Sequence, residues 1–180
     1  MNKTAGVRLD AGELKEAAPS LKAGERVLLS GWVYTARDAA HKQLFALLDN
    51  GEPLPFPLDG ATVYYAGPTK APPGLPVGSC GPTTSSRMDR FAPRLLDLGL
   101  TAMIGKGGRS PEVLEAVCRN QAVYLCALGG AGALACRCIA SCETVAFPEL
   151  GCESIKRLEF REFPLIVGAD SSGGNLFMRR

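Results

Sequence analysis

Short runs of β-branched and aromatic residues alternate along this chain with longer amphipathic stretches, and that alternation limits the fold more than any other feature. Residues 26–33 read as a strand, with Val27, Leu29 and Gly31 on one face and Leu28 and Trp32 among the others. Residues 62–66 (TVYYA), 100–104 and 123–128 are further extended runs. A helix is expected from about residue 37 to 50, with Leu44, Leu47 and Leu48 on one stripe and Gly51 as its stop. Residues 88–98 read as a second helix, closed by Gly99. Ser110 is a good N-cap, with Pro111 at the first helical position and Glu112 in the first turn of a helix running to about Asn120. Residues 129–139 read as a small-residue helix. Residues 144–147, 155–160, 165–169 and 176–178 read as strands, with a turn at 171–175. Strands alternating with helices imply an α/β domain.

Two stretches resist regular structure. Residues 53–57 are too rich in proline to continue a helix. Residues 67–81 hold Pro68, Pro72, Pro73, Pro76 and Cys80. They are read as an ordered loop crossing one domain, because the flanking pieces are each too small to fold well alone. Long ordered loops tend to carry function. Residues 1–180 are accordingly taken as a single domain.

Composition removes several classes of function. Charged residues make up 21% and the net charge is only +2, with no long basic run, so neither nucleic acid nor an acidic membrane is expected as a partner. Residues 1–10 contain no apolar core followed by a cleavage site. No apolar stretch approaches the roughly 20 residues that span a bilayer. The expectation is a soluble cytoplasmic protein. The 7 cysteines are an odd number without a secretion signal, which argues for a reducing compartment and against a disulfide framework. Cys136, Cys138 and Cys142 invite a metal reading, but no Cys-x-x-Cys pair occurs and the lone histidine, His41, is far away in sequence. They are read as small core filler, the usual fate of free cysteine, and no metal site is assigned.

Three segments carry candidate chemistry. GPTTSSRMD (residues 81–89) sets Thr83, Thr84, Ser85, Ser86 and Arg87 just before an expected helix. One N-cap needs one hydroxyl, and a run of them with a guanidinium reads also as an anion site. RDAAHK (residues 37–42) puts Arg37 and His41 one turn apart if helical, with Asp38 between them. His41 suits an acid or base near neutrality, although the residues alone favour an exposed, charged helix start. IGKGGRS (residues 104–110) places Lys106 among glycines at a strand end, as an anion cradle or a flexible turn. It is not a P-loop, since Leu100 stands for the first glycine and Gly107 for the hydroxyl residue. All three offer cations or hydrogen-bond donors. None offers a carboxylate pair or a ligand set, which suits a small dianion.

The same segments resemble the C-terminal domain of class I fumarate hydratases and the beta subunits of two-subunit fumarate hydratases and L(+)-tartrate dehydratases. The resemblance lies in RDAAHK, GPTTSSRMD, MIGKGG and ALGGAGAL, with LPFPLDGATVYYAGP, VAFPELGCESI and FPLIVGAD in the same order, and covers nearly the whole chain. It implies a swivelling β/β/α domain and a hydro-lyase activity, hydration of fumarate to (S)-malate or dehydration of L(+)-tartrate to oxaloacetate. It also implies a larger alpha subunit whose three cysteines hold a 4Fe-4S cluster with one open iron as Lewis acid, in a heterotetramer of two alpha and two beta chains. The same resemblance gives Thr83 as the base for the C3 proton, Arg37 and Arg87 as carboxylate-binding arginines and Lys106 as a lysine of the substrate cavity. His41, Asp38, Thr84 and Ser85 are left in supporting roles. The rival from another class is an anion-binding module that keeps the fold without catalysis.

Overall fold

The structure, a computed structural model, describes residues 6–178. The leaderless start read at residues 1–10 therefore falls partly on residues outside those described. The strands are β1 (Val7–Asp10), β2 (Arg26–Thr35), β3 (Thr62–Tyr64), β4 (Ala102–Gly105), β5 (Val123–Cys126), β6 (Ile139–Ala146) and β7 (Ile155–Ala169). They form one 7-stranded sheet in the order β1-β2-β3-β4-β5-β7-β6, and β2 also pairs with β7. That extra pairing closes β2, β3, β4, β5 and β7 into a ring. The chain is thus mixed α/β: β2–β5 run parallel and β7 is antiparallel to both β2 and β5.

Alternation along β2 and β7 explains the ring. Val27, Leu29 and Val33 of β2 face Leu158, Phe160, Phe163, Leu165 and Val167 of β7 in one buried core, joined by Tyr64, Ile104 and Leu125. The inward positions of β7 change parity between Phe160 and Phe163, because a bulge falls there: Gly31 pairs with Phe160 and Leu29 with Phe163. Glu162 takes the positive φ of 46° that the extra residue requires. The expected strands at 155–160 and 165–169 are therefore one bent strand.

β3, β4 and β5 are buried on both faces, as parallel strands generally are. Their outer residues Val63, Tyr65, Met103 and Tyr124 pack against α2 (Asp38–Asp49), α3 (Ala92–Asp97) and α4 (Pro111–Arg119) through Ala40, Leu44, Leu95, Val113 and Val117. Three expectations are corrected. The helix read at 88–98 is a 3-10 turn at Ser85–Met88 followed by α3, which restarts with Pro93 in its first turn, where proline is tolerated. The helix read at 129–139 shrinks to Gly132–Ala135 and a 3-10 turn, and β6 begins at Ile139. Residues 176–178 form no strand; Asn175 makes an isolated bridge to Ala169.

The long loop after β3 is ordered. Tyr64 donates its hydroxyl proton to the Cys80 carbonyl at 2.8 Å, Gly78 N–H donates to Thr69 O and Thr69 N–H to Ser79 O, both at 3.0 Å, and Cys80 N–H donates to Gly132 O at 3.1 Å. No helix among the described residues is long and apolar enough to cross a membrane.

Candidate functional site

The carboxyl ends of parallel strands in an α/β sheet are where loops converge on a ligand. Here Arg37 follows β2, residues 67–84 follow β3, Lys106 follows β4 and residues 127–131 follow β5. Each singled-out motif therefore reaches the same edge of the sheet.

Arg37 precedes α2 in extended backbone. Its Nη2 lies 3.3 Å from Glu153 Oε1, while Glu153 Oε2 accepts the Ala39 N–H at 2.9 Å. Its buried Nε has no partner among the described residues. The loop after β3 comes close to it: a Cβ on Gly67 would stand 3.0 Å from Cys152 O and 3.2 Å from Arg37 Cδ and Nη1, so a larger residue would have to push these groups aside. Arg87 projects from the 3-10 turn and is half-exposed. Its Nε donates to Asp38 Oδ1 at 3.0 Å and its Nη2 lies 3.0 Å from Asp38 Oδ2. Asp38 and Glu153 thus hold the two guanidiniums that the sequence points to.

Thr83 is half-buried, and its N–H donates to Tyr65 O at 2.7 Å. Thr84 is exposed and bridges the Lys106 backbone in parallel register. Neither is a hydroxyl cap of a helix; Thr84 precedes the 3-10 turn without a side-chain capping bond. Ser85 is fully buried, and its hydroxyl meets Tyr124 Oη at 2.9 Å. It faces the protein interior, away from an open anion site. Lys106 lies over Gly129, whose hypothetical Cβ would be 3.4 Å from Lys106 Cδ. Lys106 forms no ion pair among the described residues. The glycines of the ALGGAG segment give this lysine its room.

His41 is neither an exposed helix start nor poised near neutrality. It is wholly buried beside Phe91 and Tyr65, and burial pushes its pKa from 6.5 down to about 4. Its Nδ1 lies 2.8 Å from the Arg37 carbonyl, which selects the Nδ1–H tautomer, and Nε2 has no partner among the described residues. It braces Arg37.

Glu153 and the Asp89–Arg109 pair escape a linear reading. Arg109 Nε donates to Asp89 Oδ1 at 2.7 Å with its side chain fully buried, and Asp89 Oδ2 accepts the Ser110 N–H at 2.8 Å. The Arg109 guanidinium lies over the Tyr65 and Tyr124 rings, 5.3 and 4.9 Å from their centroids. The pair ties the Thr83–Arg87 turn to the Lys106 loop. The acidic residue that ends the 81–89 motif was the one available signal, and Asp89 read there only as part of a pattern.

Cys80 and Cys136 are buried in the ring core, with Cys138 and Cys142 packed against it. Burial pushes the Cys80 thiol up to about 12 and raises those of Cys138 and Cys142.

With this geometry in place, the comparison with known families is decisive: residues 1–180 match the family described as Fumarase C-terminus. The chain belongs to that family. It is 40% identical over 156 residues to the anaerobic class I fumarate hydratase of Escherichia coli (strain K12), which covers 86% of this chain and 28% of the relative. It is 37% identical over 158 residues to fumarate hydratase 2 of Leishmania major, covering 87% and 28%. A putative L(+)-tartrate dehydratase subunit beta of Methanocaldococcus jannaschii is 38% identical over 169 residues, covering 91% of this chain and 87% of the relative. This fumarase C-terminus chain thus spans 28% of the length of those two fumarate hydratases, but most of the beta subunit.

Proposed function

We propose that this chain is the beta subunit of a hydro-lyase that reversibly hydrates fumarate to (S)-malate, working with a larger alpha subunit. The observation that carries this is the convergence of Arg37, Arg87, Lys106 and Thr83 at one sheet edge, with Asp38 and Glu153 holding the guanidiniums. On this reading Arg37 and Arg87 clamp the two substrate carboxylates, because a planar guanidinium meets a carboxylate with parallel hydrogen bonds. Lys106, which forms no ion pair among the described residues, adds a positive charge at the same sheet edge. Thr83 takes the C3 proton. A hydroxyl has a very high pKa, so the developing alkoxide needs neighbouring cations, a role for Arg87 and Lys106.

The 4Fe-4S cluster is assigned to the alpha chain. Among the described residues no cluster of three or more His, Cys, Asp or Glu is placed to hold a metal ion; Cys80, Cys136, Cys138 and Cys142 pack in or against the ring core, and burial raises the Cys80, Cys138 and Cys142 thiols. Their donor set does not fit the cluster. We take the assembly as two alpha and two beta chains in the cytoplasm, and residues 1–180 as a single swivelling β/β/α domain. A second reading, dehydration of L(+)-tartrate, is favoured by the beta-subunit relative that matches nearly end to end.

The test is anaerobic reconstitution with the alpha chain, followed by kcat/KM on fumarate, malate and L-tartrate. Turnover of fumarate and malate is expected, and preference for tartrate would select the second reading. Arg87→Lys should lose roughly 2–4 kcal/mol of transition-state stabilisation, or about 30- to 1000-fold in rate. The melting temperature of the chain should hardly move, since half-exposed ion pairs contribute about 1 kcal/mol or less. Thr83→Val should abolish turnover and leave substrate binding. Activity on none of the three substrates would leave a non-catalytic anion-binding module, and near-normal activity in both variants would remove these residues from the site.

A further inference from the structure

Lys106 is gripped by a closed chain of hydrogen bonds whose direction is fixed. Tyr124 Oη donates its proton to Gly107 O at 2.8 Å. A hydroxyl has one proton, so the 2.9 Å contact between Ser85 Oγ and Tyr124 Oη is donated by Ser85. Ser85 Oγ is then left to accept, and it accepts the Lys106 N–H at 3.0 Å. The chain runs Lys106 N–H to Ser85 Oγ to Tyr124 Oη to Gly107 carbonyl, beginning and ending on neighbouring residues. Ser85 N–H also donates to Lys106 O at 3.0 Å. The peptide groups on both sides of Lys106 are thereby fixed, and only its side chain stays free, over Gly129.

Around this chain the packing allows little slack. Ser85 and Tyr124 are fully buried, so a lost partner leaves a polar atom without water. The Tyr124 ring lies 4.9 Å from the Arg109 guanidinium, itself anchored on Asp89. Ser85 reaches its place because residue 105 is glycine: a Cβ there would collide with Ser85 Oγ and come within 2.9 Å of the Tyr65 ring.

We infer that Tyr124 and Ser85 are positioning residues that aim Lys106 at the substrate dianion; the inference rests on the proposed site. A turn held merely for folding would need its backbone bonds alone. Here a side-chain relay from β5, through a serine of one site loop, sets the backbone of a cation on another.

The test has two arms. In the isolated chain, Tyr124→Phe keeps the ring and removes the relay's last donor. Hydrogen exchange of the Lys106 amide should rise by about tenfold, the upper end for one hydrogen bond, while the Met103 amide on β4 stays protected. Ser85→Ala, which opens the relay at its other end, should give the same pattern. Unchanged Lys106 exchange in both variants would overturn the relay. In the reconstituted complex, the probe is succinate, a dicarboxylate that cannot be hydrated. Tyr124→Phe should weaken succinate binding about tenfold in the parent and not at all on a Lys106→Met background, since it acts through Lys106. Equal weakening on both backgrounds would show a general structural effect and overturn the positioning role. If the parent complex binds no succinate, the dicarboxylate reading and the aiming of Lys106 at it both fall, and the exchange arm still decides whether the relay exists.

Discussion

His41 shows how far a single residue can be read from its neighbours. Its spacing from Arg37 is legible, and the structure keeps the pair together through Nδ1–H and the Arg37 carbonyl. Its burial is not legible, because Phe91 and Tyr65, which enclose it, lie on other elements. Burial lowers its pKa to about 4 from 6.5. The unfolded chain therefore binds a proton below pH 6.5 that the native chain refuses, and stability falls as pH drops from there towards 4. The slope from this group approaches about 1.4 kcal/mol per pH unit within that window. His41→Asn, which keeps a donor near the Arg37 carbonyl, should cost stability at pH 7 yet flatten this limb. Melting curves between pH 7 and 4 check it, and parallel profiles for parent and variant would exclude His41 as the source. Arg37, Thr83, Arg87 and Lys106 stand out in the sequence because glycines, hydroxyls or charges flank them, and the structure brings the loops that carry them to one sheet edge. Glu153 was not, since the Ala39 amide it binds is 114 positions away.

At the scale of elements, sequence pattern succeeded where one strand or helix settles its own apolar face. The strands β2 to β5 and helices α2 and α4 fall close to where periodicity puts them, and Ser110 caps α4 by accepting the Val113 N–H. It failed where the deciding contact is distant. Residues 129–139 read as one small-residue helix, but the glycines at 129, 130 and 132 favour a helix poorly, and Gly132 packs against Gly81 and Ser79 of the loop after β3, leaving a single turn at Gly132–Ala135. The gap between the strands expected at 155–160 and 165–169 is a bulge with Glu162 at positive φ, because β2 pairs with both halves of β7. Gly105 tests this scale. Alanine there would drive a methyl group into Ser85 Oγ and the Tyr65 ring, both immobile in the core. Overpacking of this kind costs about 1–3 kcal/mol, occasionally more. Gly105→Ala should lower the unfolding free energy by that amount, seen as a lower urea midpoint with an unchanged slope, whereas a midpoint equal to the parent's would mean that the 83–88 turn yields freely.

The whole molecule is built from two cores on either side of β3, β4 and β5: the ring interior, and the layer under α2, α3 and α4. Neither the ring nor its closure by β2 and β7 is legible locally, since pairing partners such as Val27 and Leu165 are remote in sequence. The division has a consequence for the cysteines. Cys80 and Cys136 belong to the ring core, with Cys138 and Cys142 against it, whereas the Arg37, Thr83, Arg87 and Lys106 loops open at the strand ends. A cluster ligand must be a thiolate within reach of its metal. Burial instead raises Cys80 to about 12 and holds Cys138 and Cys142 above the ordinary thiol range. Cys136 Sγ donates to the Ala133 carbonyl at 2.9 Å, a bond that requires the proton. Cys80 and Cys136 share that core with Phe160 and Phe163, which stack at 4.2 Å between centroids, so iron bound there would displace close-packed apolar side chains. Anaerobic reconstitution of this chain alone with iron and sulfide should therefore leave far less than one cluster per chain, while the same treatment with the proposed alpha chain should yield a full one. Iron and acid-labile sulfide analysis measures it. A stoichiometric cluster on the isolated chain, lost when Cys136, Cys138 and Cys142 are replaced by serine, would make the ring core a metal site and move the iron chemistry into this subunit.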